Sequence, residues 1–126
     1  MALDQQLIDP GAMLASTHEL DDGSRVRLRL TRPTDLPRIH DFLDGAEAHA
    51  RRLAFYDPRE RLAIGATMPG DRGGEEIVGV VEVALLDEGP AELGVFVRDD
   101  HVESGLAELL SGASAALSAS RRRRAA

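Results

Sequence analysis

The segment AELGVFVRDDHVESGLAELL, residues 91–110, holds the residue types best suited to bind a ligand. Within it, a strand pattern gives way to a helix pattern just after Ser104 and Gly105. Backbone N–H groups at the start of a helix lack partners within the helix, and the helix dipole places partial positive charge there. The segment therefore predicts a site for a phosphate or diphosphate, unless Gly105 serves only for close packing.

Three neighbouring residues, Asp99, Asp100 and His101, carry oxygen and nitrogen atoms of the kind that bind metal ions. Adjacent residues of one loop rarely converge on a single ion, so a solvated turn is the better interpretation and we expect no metal site. The remaining histidines share no ligand spacing: His18, His40 and His49.

Arginine is concentrated in three places, at 51–52, 59–61 and 121–124. The first two most often cover helix and strand surfaces, although an acidic ligand would also bind them. The run Arg121–Arg124 suits nucleic acid, anionic lipid or an acidic partner, or is a solvated tail, which we favour. The formal net charge of −7 argues against nucleic acid as a partner of the folded body.

The composition is that of one globular domain, with 126 residues of which 43% are hydrophobic and 29% charged. The sequence has no cysteine, which excludes disulfides, thiol catalysis and a cysteine-ligated zinc site. No apolar run approaches the ~20 residues that span a bilayer, and the N-terminus has no signal-peptide pattern. We therefore expect a cytoplasmic protein without a membrane span.

The elements that position the segment at 91–110 follow from hydrophobic spacing. Arg25–Leu30 alternates strictly between arginine and aliphatic residues, which predicts a strand with one buried face. The full order is β-α-α-β-β-β-α, typical of an α+β domain with a mostly antiparallel sheet. The later strands are expected at 62–66, 77–86 and 92–97, and the helices at 35–43, 46–53 and 102–117. The chain divides into a lead-in at 1–20, the domain at 21–119 and an arginine-rich tail at 120–126.

Four segments resemble the GNAT superfamily of acyl-CoA-dependent N-acyltransferases: DGSRVRLRLTRPTDLPRIHDFL, FYDPRERLAIGA, EEIVGVVEV and AELGVFVRDD. The resemblance runs from about Leu20 to Ser118, and its element order agrees with the one read from hydrophobic spacing. It implies acetyl-CoA as the cofactor and a small-molecule or protein amine as the acceptor. Family members continue after the last helix with further strands and a helix, so an incomplete GNAT-like domain with about four strands is expected.

In this family the fourth strand leads into a pyrophosphate-binding loop with the pattern Gln/Arg-x-x-Gly-x-Gly/Ala. The matching window consists of Val102, Glu103, Ser104, Gly105, Leu106 and Ala107. Gly105 and Ala107 fit the pattern, whereas Val102 stands where the family has glutamine or arginine. Because the carboxylate of Glu103 would repel a pyrophosphate, we expect CoA binding to be weak.

The resemblance also places Glu92 at the position of a general base, which would take a proton from the acceptor ammonium. The alternative is a strand glutamate that faces solvent, and we favour it. Glu82, within an otherwise apolar strand, is another candidate base, and a glutamate that faces solvent or pairs with an arginine is an equal alternative. Backbone amides near Phe96 and Val97 would polarise the thioester of acetyl-CoA.

Two functions follow from these expectations. The first is an N-acetyltransferase that transfers an acetyl group from CoA to an unknown primary amine. The second is a catalytically inactive, GNAT-derived interaction or regulatory module. The strand at 92–97 exposes an edge unless the lead-in or a second chain covers it, and we expect a homodimer. The predicted interface consists of Phe96, Leu106, Leu110 and Leu117.

Overall fold

The computed structural model describes residues 14, 17–44, 46–71 and 73–125, with side chains as far as Leu117. Residues 1–13, which form most of the predicted lead-in, lie outside the described residues. The strands are β1 Thr17–Glu19, β2 Arg25–Leu30, β3 Arg61–Pro69, β4 Glu75–Leu86 and β5 Gly89–Val97. The helices are α1 Leu36–Phe42, α2 Glu47–Ala54 and α3 Leu106–Ala125. Two short 3₁₀ turns, Pro33–Asp35 and Asp99–His101, precede α1 and follow β5.

All five strands form one antiparallel sheet in the order β1-β2-β3-β4-β5. The predicted α+β class and the mostly antiparallel sheet are confirmed. The sheet has one strand more than expected, because β1 lies within the predicted lead-in and pairs with β2. No helix of the described residues is long and apolar enough to cross a membrane.

The strict alternation of β2 sorts its side chains between two faces of the sheet. Val26 and Leu28 are buried on the face covered by α3, whereas Arg29 faces α1. Opposite them, α3 contributes Leu106 and Leu110, both fully buried. The first core therefore lies between the sheet and α3, and it includes Leu20, Val26, Leu28, Ile64, Ala66, Val78, Val81, Val83, Leu106, Leu110 and Ala113.

The close packing of α3 on the sheet corrects two predictions. Leu106 and Leu110 belong to the core of this chain, so they cannot form the homodimer interface expected from the sequence. The helix also starts later than predicted, because Gly105 has φ +86° and interrupts the helical backbone before Leu106. Val102 precedes the helix and is 61% exposed. At its other end, α3 continues through the predicted tail to Ala125.

The second core lies on the opposite face of the sheet, under α1 and α2. The amphipathic helix α2 buries Ala50, Leu53 and Ala54 and turns Arg51 and Arg52 outward. The core comprises Ile39, Ala50, Leu53, Ala54, Ala63, Ile77 and Val80. The central strand β4 thus supplies apolar side chains to both layers, in agreement with its almost uninterrupted apolar sequence.

A buried network of charged groups joins α1 to the sheet. Arg29 of β2 donates two hydrogen bonds to Asp35, at 2.7 and 2.8 Å, and a third to Glu75 at 3.1 Å. Asp35 is completely buried and also accepts the backbone N–H of Arg32 at 3.0 Å. Arg38 of α1 donates to the backbone oxygen of Glu75 at 2.9 Å. The network therefore connects β2, α1 and the start of β4.

This network keeps Asp35 ionised. Burial alone would raise the pKa of Asp35, but the hydrogen bonds from Arg29 and from the backbone of Arg32 hold that pKa below its usual value. Burial likewise opposes ionisation of Glu75, whose pKa is lowered by hydrogen bonds from Thr67 and Arg29. A carboxylate with a lowered pKa stabilises the fold above its unfolded pKa and loses that contribution as the pH falls.

We predict that Asp35→Asn destabilises the protein by about 3 kcal/mol, because the partly buried Arg29 loses its fully buried anionic partner and keeps only Glu75. Urea unfolding at pH 7 measures this change. The loss should shrink as the pH falls below roughly 4, where the carboxyl groups of the unfolded chain become protonated, and it should vanish only below the lowered pKa of folded Asp35. Asp57→Asn, in an exposed pair with Arg59, is the matched control and should leave the midpoint unchanged. Equal effects of the two substitutions would contradict the structural role of Asp35.

Candidate functional site

The loop between β5 and α3 ends in a capped helix start. After the turn at Asp99–His101, the Ser104 hydroxyl donates to the backbone oxygen of His101 at 2.8 Å. The carbonyl of Gly105 accepts the backbone N–H of Leu109 at 3.1 Å, so Gly105 is the capping residue of α3. The change from loop to helix expected just after Ser104 and Gly105 is thus present, although the helix expected from residue 102 begins at Leu106.

The turn between β1 and β2 lies beside the capping residue of this helix. A Cβ atom placed on Gly105 would lie 2.9 Å from Oδ2 of Asp21. The backbone N–H of Asp21 donates to the carbonyl of Ser104 at 2.8 Å, which ties the turn to the loop. A carboxylate beside the first turn of a helix interacts favourably with the helix dipole. Asp21 therefore lies against the capping residue, close to where an anionic ligand would approach.

His101 is enclosed at the same place and is only 6% exposed. Its Nδ1 atom lies 3.9 Å from Oδ2 of Asp22, and its Nε2 atom lies 4.0 Å from Oδ2 of Asp100. Nδ1 forms no hydrogen bond with any part of the chain that the structure describes. The ring is therefore held between two carboxylates, one from the β1–β2 turn and one from its own loop.

Both of these carboxylates remain ionised at neutral pH. The hydroxyl and backbone N–H of Ser24 donate to Asp22 and lower its pKa. Hydrogen bonds from Arg98 lower the pKa of Asp100. Arg98 forms ion pairs with Asp100 at 2.7 Å and with Glu76 at 3.4 Å. The helix start is consequently surrounded by negative charge, and the basic side chain beside it already has partners.

The residues predicted to bind the cofactor are only partly brought together. The window from Val102 to Ala107 forms one continuous loop and helix start, and Val97 packs near it against the α3 core. Phe96 lies on the other face of the sheet, where its ring meets the His49 ring edge-on at 4.7 Å between centroids. Phe96 and Val97 thus point to opposite sides of β5.

Glu92 and Glu82, the candidate bases, occupy different environments. Glu92 is exposed and pairs with Val83, which is buried on the α3 side of the sheet. Glu82 is 5% exposed and accepts hydrogen bonds from Arg52 at 2.6 Å and Arg61 at 3.2 Å. Glu82 is therefore a buried ion-pair partner of two arginines and does not face solvent. Glu92 lies some 15 Å along β5 from the loop, at about 3.3 Å per residue.

A β-bulge separates Glu92 from the rest of β5. Gly94 pairs with Glu82 and Glu92 pairs with Val83, so Leu93 has no residue opposite it in β4. Leu93 is 50% exposed. Beyond the bulge, a cleft of about 530 Å³ opens between β5 and the end of α1, with Phe42, Leu43, Asp44, Val95, Phe96, Val97, Arg98 and Asp99 around it.

The other polar groups singled out from the sequence are accounted for by local contacts. Asp99 and Asp100 form part of one short turn, and no group of three histidine, aspartate or glutamate side chains within the described ranges is arranged to hold a metal ion. The arginine groups at 51–52 and 59–61 pair with nearby carboxylates: Glu47, Asp57 and Glu82. The side chains of Arg121–Arg124 lie outside the described residues.

No family model matches the sequence, and no curated protein matches it. Among solved structures, the chain is similar to the crystal structure of the GNAT domain of S. lividans PAT, with a TM-score of 0.68 and 21% sequence identity. The match covers 84% of this chain and 72% of that chain. The chain therefore has a GNAT-like fold, as the sequence resemblance implied.

We predict that Gly105→Ala destabilises the protein by about 2 kcal/mol, because alanine is strained at a positive φ and would collide with Asp21. Gly112→Ala is the matched control, since Gly112 lies in α3 with open space around its Cβ position. That control should stabilise the helix by about 0.5 to 1 kcal/mol. Urea unfolding compares the two variants. If Gly105→Ala has the same free energy of unfolding as the wild type, neither backbone strain nor a collision with Asp21 occurs at this position.

Proposed function

We propose that this GNAT-fold protein works without acyl-CoA, as a catalytically inactive interaction module that forms a homodimer. The observation that carries the proposal is the carboxylate of Asp21 against Gly105, at the start of α3. The residues at this place do not fit the diphosphate of acetyl-CoA. We therefore assign no step of acyl transfer to the chain.

The electrostatic argument rests on several charges at once. Two like charges 4 Å apart repel by about 4 kcal/mol near a protein surface, and a diphosphate at α3 would face more than one carboxylate. Four acidic side chains lie near the start of α3. Two belong to the β1–β2 turn, Asp21 and Asp22, and two to the loop before the helix, Asp100 and Glu103. The partial positive charge of a helix start is worth about 0.3 to 1 kcal/mol at an exposed site, which is too little to offset this repulsion.

Acetyl transfer to a primary amine is the second candidate function. The GNAT-like fold supports it, as does an exposed carboxylate at Glu92 next to the bulge in β5, since bulges are frequent beside active sites. Under this hypothesis the loop must bind acetyl-CoA despite its acidic surroundings. Binding of acetyl-CoA therefore separates the two candidate functions directly.

We expect calorimetry to detect no saturable binding of acetyl-CoA to the wild-type protein at concentrations up to about 1 mM, an affinity of only ~4 kcal/mol. The physical reason is the repulsion between the diphosphate and the carboxylates around Gly105. Titration at low and at high salt provides the control, because screening weakens repulsion between exposed charges. A dissociation constant in the micromolar range would overturn the proposal and favour the acetyltransferase.

The homodimer is supported by the free edge of β5. Within the described part of the chain, this strand pairs only with β4, so the backbone groups on its other side face outward. The N–H of Arg98 donates to Val78 of β4, and by alternation Val95 and Val97 present their backbone groups to the open edge. An edge strand with few charges invites pairing, and two copies related by a two-fold axis can satisfy each other.

We predict that light scattering at about 100 µM finds a dimer for the wild type and a monomer for Leu93→Lys, because a lysine on an edge strand blocks strand pairing. Leu86→Lys is the matched control. Leu86 and Leu93 are each 50% exposed, but Leu86 belongs to β4 at the far end of the hairpin. A wild-type protein that stays monomeric on concentration would exclude the β5 dimer.

A further inference from the structure

Three separate segments meet at the start of α3. They are the β1–β2 turn with Asp21 and Asp22, the turn with His101, and the helix cap at Gly105. Helix starts attract anions because of their free N–H groups and the helix dipole. A second feature also indicates an anion at this place. The Nδ1 atom of His101 is buried and has no hydrogen-bond partner among the described residues.

We infer that the Asp21–Asp22 turn is an autoinhibitory contact that places a carboxylate against the capping residue of α3 and excludes phosphate or diphosphate from the start of that helix. The inference rests on the proposed function, since it explains why this GNAT fold would not take acyl-CoA. With the two carboxylates removed, the cap of α3 and His101 form a site for a diphosphate.

The contacts of the turn support this assignment. Asp21 covers Gly105 with its carboxylate, and Asp22 faces Nδ1 of His101 at 3.9 Å. Each acidic side chain thus stands before one of the groups that would interact with an anion. An imidazole N–H can donate to an anion at the place where it now faces Asp22.

The turn itself does not depend on these charges. Its backbone is closed by hydrogen bonds from Leu20 to Ser24 at 2.7 Å and from Gly23 to Leu20 at 2.9 Å. The N–H of Asp21 is tied to Ser104 through backbone atoms alone. The side chain of residue 22 accepts from Ser24, and asparagine can accept in the same way. The two acidic groups can therefore be replaced while the turn is kept.

The test uses inorganic pyrophosphate as the probe and ³¹P NMR or calorimetry as the readout. Asp21→Ser with Asp22→Asn removes both charges and clears the space over Gly105. We expect this double variant to bind pyrophosphate at least about tenfold more tightly than the wild type, which corresponds to ~1.4 kcal/mol. Adding His101→Gln should reverse most of this increase in pyrophosphate affinity, because the glutamine amide does not replace the imidazole N–H at the position of Nδ1.

The charge-matched control is Asp57→Asn with Asp87→Asn, which changes the net charge equally but lies away from α3. If the Asp21 and Asp22 variant binds pyrophosphate no more tightly than this control, the inference is wrong. If circular dichroism shows that the serine-containing variant is unfolded, the isosteric pair Asp21→Asn and Asp22→Asn replaces it and must show the same gain. Binding of acetyl-CoA by the wild type would instead refute the proposed function itself.

Discussion

The ion pair between Arg29 and Asp35 is the constraint on which the packing of α1 against the sheet depends. Asp35 is fully buried and its charge is tolerable only because Arg29 meets it with two short hydrogen bonds. Through this pair β2 fixes the position of α1, and through Glu75 it also fixes the start of β4. The cleft between α1 and β5 and the burial of Ile77 and Val80 of β4 beneath the helices follow from that placement.

Much of the fold could be read from the sequence because its signals are local. The alternation at Arg25–Leu30 predicted the bounds of β2 as the structure has them, because Val26 and Leu28 are buried on one face. The last aliphatic residue, Leu30, is 40% exposed. The almost uncharged run of β4 likewise indicated a central strand. The short strand β1 was not predicted, because three residues with no apolar alternation become a strand only through pairing with β2.

The candidate site was harder to predict because its decisive contacts are distant in sequence. Glu103 was identified as an obstacle to a pyrophosphate, but Asp21 was not, and Asp21 is the residue that lies over Gly105. No periodicity links the two positions, so only the folded chain brings them together. Similarly, the sequence left Glu82 as either a base or an ion-pair partner, and two arginines from different elements decide between them.

Gly79, a residue of the central strand β4, influences how closely α3 and the loop before it pack against the sheet. A Cβ atom there would lie 3.0 Å from both Leu106 and Leu110, so α3 can rest this close to the sheet only because β4 has no side chain at that point. A methyl group there would meet the ends of the Leu106 and Leu110 side chains and the carbonyl oxygen of Phe96, so the packing of the first turns of α3 would have to adjust. The fit between turn and helix is thus set by the volume of one buried residue, and any sequence change that thickens the sheet there would also alter access to the loop.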